Sequence, residues 1–311
     1  MVQILRSNQI DKAAELILAG EIVAIPTETV YGLAGLACND NSIKKIYDIK
    51  GRPSFNPLIS HYADLDSIIK DVVVNQIAFK LLELYSPGPI TLVLPKTSKS
   101  RINALATADL SSAAIRIPKH PMTRELLTQV NLPVVAPSAN ASNKLSPVTA
   151  DHVRKSLGEK INWILDAGQT EIGLESTVIE VFDETISILR PGAITLEMLA
   201  KEFKIIDKQS NIIKSPGMLE KHYSPKCPLR LGYENPKKNE GLIAFGNYQD
   251  NGLFAKVINI SINANVEEAA HNLFDALHKL EDSGVDSIAI MPIPLTGIGL
   301  ALNDRLKRAA S

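Results

Sequence analysis

Hydrophobic and polar positions alternate between a helical period and short apolar runs from the start of the chain. Residues 11–19 place Ala14, Leu16, Ile17 and Leu18 in helical register, and residues 21–25 form a short apolar run closed by Pro26; the pair predicts a helix and a buried strand. Ile43, Ile46, Tyr47 and Ile49 give one apolar side to a helix over 41–49, which Gly51 and Pro53 end. The pattern then predicts a strand at 57–61, one or two helices over 65–85, strands at 90–94, 113–117 and 134–136, and a helix over 121–130 between the last two. Strands at 163–166, 178–182 and 186–189 and a helix over 196–203 follow. The strands are not evenly interleaved with crossover helices. A twisted mixed α/β sheet is therefore expected rather than a doubly wound one.

The patterning weakens at 207–215 and gives way to SPGMLEKHYSP, rich in Pro, Gly and Ser, which reads as a linker. Beyond it, apolar runs at 242–245, 257–260 and 288–291 and the helical face of Val266, Ala270, Leu273, Leu277 and Leu280 predict a second, small α/β unit. The expected division is 1–205, a linker or lid over 206–228, and 229–311. GIGLAL (297–302) has no third glycine for a dinucleotide fingerprint and is expected to be a turn into the last helix.

Composition narrows the chemistry. A chain of 311 residues suits about two domains, and a net charge of −1 does not mark the whole chain as a nucleic-acid binder, so any phosphate must meet a local cluster. Cys38 and Cys227 make neither a disulfide framework nor a zinc site. With no secretory pattern at the N-terminus and no apolar run of membrane-spanning length, the cytoplasm is the expected compartment.

The unusual residues sit where strands end. PTETVYGL (26–33) gathers three hydroxyls and a carboxylate; it is either a capped turn or a polar pocket for a small substrate. KGRP (50–53) and NPLISH (56–61) put Lys50 and Arg52 at a helix end, as a basic cap or a phosphate clamp. SSAAIRIP (111–118) sets Arg116 in an apolar strand, as a solvated edge residue or an anion ligand. APSANASNKLSP (136–147) is dense in Ser and Asn donors for an anion, GLESTVIE (173–180) and LRPG (189–192) add Ser176 and Arg190, and HYSP (222–225) adds His222 and Tyr223. His271 and His278 are read as surface or core positions on a helix.

Taken in order, these motifs resemble the threonylcarbamoyl-AMP synthase (YrdC-like) family, and the linker with the second α/β unit resembles its long, two-domain members. The resemblance covers nearly the whole chain and is most specific before position 225. It implies a twisted open α/β sheet with a positively lined cavity, followed by a small Rossmann-like domain. It also implies an L-threonylcarbamoyladenylate synthase, a nucleotidyltransferase acting on L-threonine, bicarbonate or CO2, and ATP with Mg2+. No protein metal site is expected, and hand-over goes to a tRNA threonylcarbamoyltransferase with weak or indirect tRNA contact. Residue by residue, Lys50 and Arg52 are implied as catalytic. Thr29, His61, Arg116, Ala136 and Ser176 would bind L-threonine. Arg52, Asn56, Ser112, Ser138, Asn140, Ser146, Arg190 and Tyr223 would bind ATP.

Arg52, beside Gly51 and Pro53, is expected to face solvent. Residues 215–225 are expected to act as a lid, Pro216 and Pro225 restricting its ends. No general base is assigned; His61 is a candidate by type only. Two rivals stand: an RNA-binding module without turnover, against which the charge balance and the lack of a Lys/Arg run speak, and a carbamoyl-transfer maturation enzyme, which two lone cysteines do not fit.

Overall fold

The computed structural model describes residues 2–207 and 223–310. Ten strands form one mixed sheet. They are β1 (Gln3–Leu5), β2 (Val23–Ile25), β3 (Gly32–Leu36), β4 (Ile59–His61), β5 (Ile90–Pro95), β6 (Ser112–Arg116), β7 (Val134–Val135), β8 (Trp163–Leu165), β9 (Thr177–Val181) and β10 (Ile186–Arg190), in the order β1-β8-β2-β3-β7-β4-β6-β5-β9-β10. The helices of this part are α1 (Ile10–Leu18), α2 (Asp40–Lys50), α3 (Leu65–Ile68), α4 (Gln76–Tyr85), α5 (Pro121–Val130), α6 (Ala150–Leu157) and α7 (Leu196–Ala200). Parallel and antiparallel pairs are mixed: β5 runs antiparallel to β6 and parallel to β9. The expected fold class holds.

The differences from expectation have local causes. The 65–85 segment is two helices, α3 and α4, and Asn75 caps the second by accepting from the Ala78 N–H. β3 was missed because Gly32, Ala34 and Gly35 carry little of the β-branched signal that marks a strand. β6 lies between β4 and β5, so Arg116 is not on a sheet edge and the solvated-edge reading is wrong. GIGLAL is a turn only at Gly297, at φ +55°, and α9 (Ile298–Ala310) takes in the rest of it.

The second unit is a four-stranded parallel sheet, β11 (Leu229–Leu231), β12 (Glu240–Ala244), β13 (Lys256–Asn259) and β14 (Ser287–Ile290), ordered β11-β14-β12-β13, with α8 (Val266–Asp282) and α9. Its buried cluster takes in Val30, Leu145, Val148 and Leu174 from the first part, so the two cores are continuous where strand-end loops meet α8. Gly173 shows how close that approach is. At φ +72°, a Cβ there would stand 2.6 Å from the His271 carbonyl oxygen, so no other residue fits. Most of the lid segment, with Met218 and His222, lies outside the described residues.

Two imidazoles, His152 on α6 and His278 on α8, stack at this junction with ring centroids 3.9 Å apart. Burial, and then His278, push the His152 pKa down to about 4; Lys155 acts the same way, and Asp275 and Asp151 oppose it. Burial lowers His278 too, against its bond to the Ser146 carbonyl and the charges of Glu281, Asp282 and Asp275. Folded, the pair stays neutral, while the unfolded chain takes up protons below about pH 6.5. Stability is thus lost as pH falls from about 6.5 towards 4. His152→Asn is expected to shrink the urea-unfolding difference between about pH 7.5 and pH 5 by on the order of 1 kcal/mol or more. An unchanged difference would exonerate the stack.

Candidate active site

The strand-end loops converge on one cavity, lined by Thr29, Val30, Arg52, Ile59, His61, Arg116, Ala136, Pro137, Ser138, Glu175, Ser176, Arg190 and Tyr223. Three guanidinium groups and one carboxylate carry its charge.

One end is built on β4 and β6. Arg116, the last residue of β6, donates to Glu28 Oε1 at 2.7 Å and to Thr29 Oγ1 at 3.0 Å. Glu28 is buried; burial raises its pKa, but Arg116 outweighs that and leaves the carboxyl below the ordinary range. Its second oxygen, Oε2, is buried with no hydrogen-bond partner among the described residues. His61 ends β4, in register with Arg116. Burial, helped by Arg116, pulls its pKa down to about 3. A neutral imidazole of so low a basicity takes no proton from an ammonium near pH 7, so His61 can contact a substrate but is a poor general base.

The other end is built on the C-terminus of α2 and the β9–β10 pair. Gly51 caps α2 in the left-handed region at φ +59°, which turns Arg52 back over the sheet. Arg52 does not face solvent. It is 8% exposed; Nε donates to the Asn56 carbonyl at 3.0 Å, and Nη2 to Asn56 Oδ1 at 2.6 Å and to the Pro57 carbonyl at 2.9 Å. The expectation failed because a Gly cap reverses the chain, and a reversed chain points its next side chain inward. Burial lowers the Arg52 pKa to about 10, and the Arg190 charge adds to this against Tyr47. Arg52 therefore remains a cation at neutral pH, in a place where an anion would relieve its repulsion with Arg190.

Arg190 donates to the Ser176 carbonyl at 3.0 Å and to Ser176 Oγ at 3.1 Å. LRPG needs its glycine: a Cβ on Gly192 would lie 2.4 Å from the Thr177 nitrogen. Tyr223, at φ +63° and 1% exposed, closes the wall.

Of the expected site residues, Thr29, Arg52, His61, Arg116, Ala136, Ser138, Ser176, Arg190 and Tyr223 meet at the cavity. Lys50, Asn56, Asn140 and Ser146 stand behind it. Lys50 Nζ donates to the Ser138 and Asn140 carbonyls at 2.5 and 2.6 Å, which ties the α2 terminus to the Ser/Asn loop. Burial, and then Arg52, hold its pKa well below that of an ordinary lysine. Asn56 orients Arg52, and Ser146 Oγ hydrogen-bonds the Glu175 carboxylate. Asn140 Oδ1 is buried without a partner among the described residues. Ser112 is not brought in. It opens β6 opposite Pro95, about 13 Å along the strand from Arg116.

The sequence assigns no role to three charged residues: Glu28, Glu175 and Arg305. The first two lie inside motifs already singled out, and a buried arginine calls for a buried carboxylate. Nothing in the sequence points to Arg305.

The family model described as "Telomere recombination" (Sua5/YciO/YrdC) matches residues 15–192, and that for the threonylcarbamoyl-AMP synthase C-terminal domain matches residues 194–311. The threonylcarbamoyl-AMP synthase of Bacillus subtilis is 39% identical, covering 97% of this chain and 93% of its own.

The chain belongs to the threonylcarbamoyl-AMP synthase family.

The Pyrococcus abyssi member is 36% identical over 96% of this chain and 93% of its own. The crystal structure of Pyrococcus abyssi Sua5 complexed with L-threonine superposes with a TM-score of 0.89 at 35% identity, covering 100% of this chain and 97% of that one. Escherichia coli YciO, at 21% identity and a TM-score of 0.55, shares the fold over 61% of this chain.

Proposed function

We propose that this chain is an L-threonylcarbamoyladenylate synthase, holding L-threonine at the Arg116 end of the cavity and ATP along Arg52 and Arg190. The observation that carries this is one cavity with two cationic ends, in a chain similar to threonylcarbamoyl-AMP synthases along nearly its whole length. Arg116 offers a planar fork to the amino-acid carboxylate, with Thr29, the Ala136 backbone and Ser176 around it. The buried Oε2 of Glu28, without a hydrogen-bond partner among the described residues, belongs to the carboxylate that the same arginine holds through Oε1.

The reaction needs no side-chain nucleophile. Threonine's neutral amine attacks CO2 formed from bicarbonate, giving an N-carboxylate, and the proton the nitrogen sheds combines with the hydroxide that bicarbonate releases to form water. A carbamate oxygen then attacks the α-phosphorus, the bond to the bridging oxygen breaks, and pyrophosphate leaves with that electron pair. Arg52, Arg190 and, through the loop it anchors, Lys50 position the phosphates and offset their charge. Mg2+ would ride on the nucleotide. The carboxylates nearest the cavity, Glu28 and Glu175, are held by Arg116 and Arg305, so phosphate oxygens and water would supply most of its ligands.

The product is a mixed anhydride. It fits hand-over to a tRNA threonylcarbamoyltransferase rather than direct tRNA binding. No helix among the described residues is long and apolar enough to cross a membrane, and the two free thiols suit the cytoplasm.

The test is pyrophosphate release. It is expected only when ATP, L-threonine and bicarbonate are all present. Comparable release with another amino acid, or with none, would sink the reading. An RNA mobility shift without turnover would favour an RNA-binding module instead.

A further inference from the structure

A deeply buried charge of the second unit reaches the cavity of the first. Arg305, on α9, is 1% exposed. Its Nε donates to Glu175 Oε2 at 2.9 Å, and its Nη2 to the Pro191 carbonyl at 2.9 Å. Nη1 pairs with Asp304 at 2.7 Å, and the guanidinium carbon lies 5.4 Å from the centroid of the Tyr223 ring. Glu175 and Tyr223 line the cavity, and Pro191 follows the cavity's Arg190. One side chain of α9 thus touches three parts of the nucleotide end.

We propose that Arg305 is a positioning residue for the adenylating site: it neutralises Glu175, so that the Arg52 and Arg190 wall presents its full positive charge to the nucleotide phosphates. This rests on the nucleotide reading given above and assigns the second unit a part in it.

The argument is one of charge in a place with little water. Glu175 is a buried carboxylate on the same wall as Arg52 and Arg190. Burial alone would raise its pKa, but Arg305 first and Arg190 second hold it below the ordinary carboxylate range. Burial also works against the charge of Arg305, and Tyr223, Glu175 and Asp304 more than restore it. With Arg305 absent, Glu175 has two courses. It draws on the field of Arg190, which subtracts about one charge from the phosphate wall where few water molecules screen the loss. Or, as the pH falls, it takes up a proton and the subtraction ends. The threonine end does not share this dependence, because Arg116 has its own carboxylate in Glu28. Loss of Arg305 should therefore weaken ATP and spare threonine, more at high pH than at low.

Calorimetry with α,β-methylene-ATP and Mg2+, and separately with L-threonine, measures both ends without turnover, on the full chain. Arg305→Gln keeps a donor for the Pro191 carbonyl and removes the charge. It is expected to weaken analogue binding roughly tenfold or more at about pH 8 and less at about pH 6, with threonine affinity within about twofold of wild type. Arg305→Lys, which keeps the charge, should stay within about threefold. Arg305→Leu combined with Glu175→Gln strands no ion, so it folds even where Arg305→Leu alone does not, and it should recover analogue binding to within about threefold. Unfolding midpoints for every variant separate binding from folding.

The proposal is overturned if Arg305→Gln binds the analogue as wild type does, or weakens both ligands equally. It is overturned too if Arg305→Lys loses as much as Arg305→Gln, or if the double variant shows no recovery. Wild-type binding of the analogue without threonine-dependent pyrophosphate release would sink the reaction assigned to the site and leave the role of Arg305 intact.

Discussion

Arg116→Met is expected to lower threonine-dependent pyrophosphate release by at least about a hundredfold, with the loss in the threonine KM as well as in kcat. Two charge-assisted hydrogen bonds to a carboxylate are worth about 1.5–3 kcal/mol each, which is about two decades or more together. The same change strands Glu28, buried with only Arg116 as its salt-bridge partner among the described residues, and removing one member of a buried pair costs about 3–5 kcal/mol of stability. Folding and chemistry would therefore fail together in the single variant. Glu28→Gln with Arg116→Met separates them, because no buried charge is left alone. That double variant should unfold near the wild-type urea midpoint and still release pyrophosphate no faster than Arg116→Met. If its threonine KM returns to the wild-type value, Arg116 does not hold the substrate.

Arg52→Ala is expected to cost more than its place beside Gly51 and Pro53 suggests. Two acceptors lose their donor, the Pro57 carbonyl and Asn56 Oδ1, while the Asn56 carbonyl keeps the Tyr47 hydroxyl. Unmet buried acceptors cost about 1–3 kcal/mol each, so the melting temperature should fall clearly. Removing a phosphate contact adds about one to two decades in turnover or ATP affinity. Arg52→Lys is the informative partner. It keeps the charge and loses the fork, so it should recover part of the ATP affinity and little of the stability. Near-normal turnover in a folded Arg52→Ala would remove Arg52 from the site.

Burial accounts for the gap between what could be read along the chain and what could not. The motifs were visible because polar residues clustered where apolar runs stopped. Whether each was a turn or a pocket stayed open, because a capped turn and a ligand loop use the same Thr, Ser and Asn residues. Local grounds place Arg52 in solvent, but the left-handed cap at Gly51 turns it inward. Arg116 could have lain on an edge strand, since strand order is absent from a linear pattern, and only the β4-β6-β5 arrangement makes it internal. The resemblance groups Ser112 with the nucleotide residues, while its place at the far end of β6 keeps it off the cavity wall.

By itself, the sequence determined the mixed α/β class, the change of pattern after about 205, most of the strands, and the polar loops at their ends. These follow from periodicity and turn chemistry, which act over a few residues. Only the tertiary structure decided which loops face one another, that Glu28 answers Arg116, and that Glu175 answers an arginine 130 residues further along the chain. Such pairings come from a buried charge needing a partner within a few ångströms, whatever separates the two in sequence, so no local pattern records them.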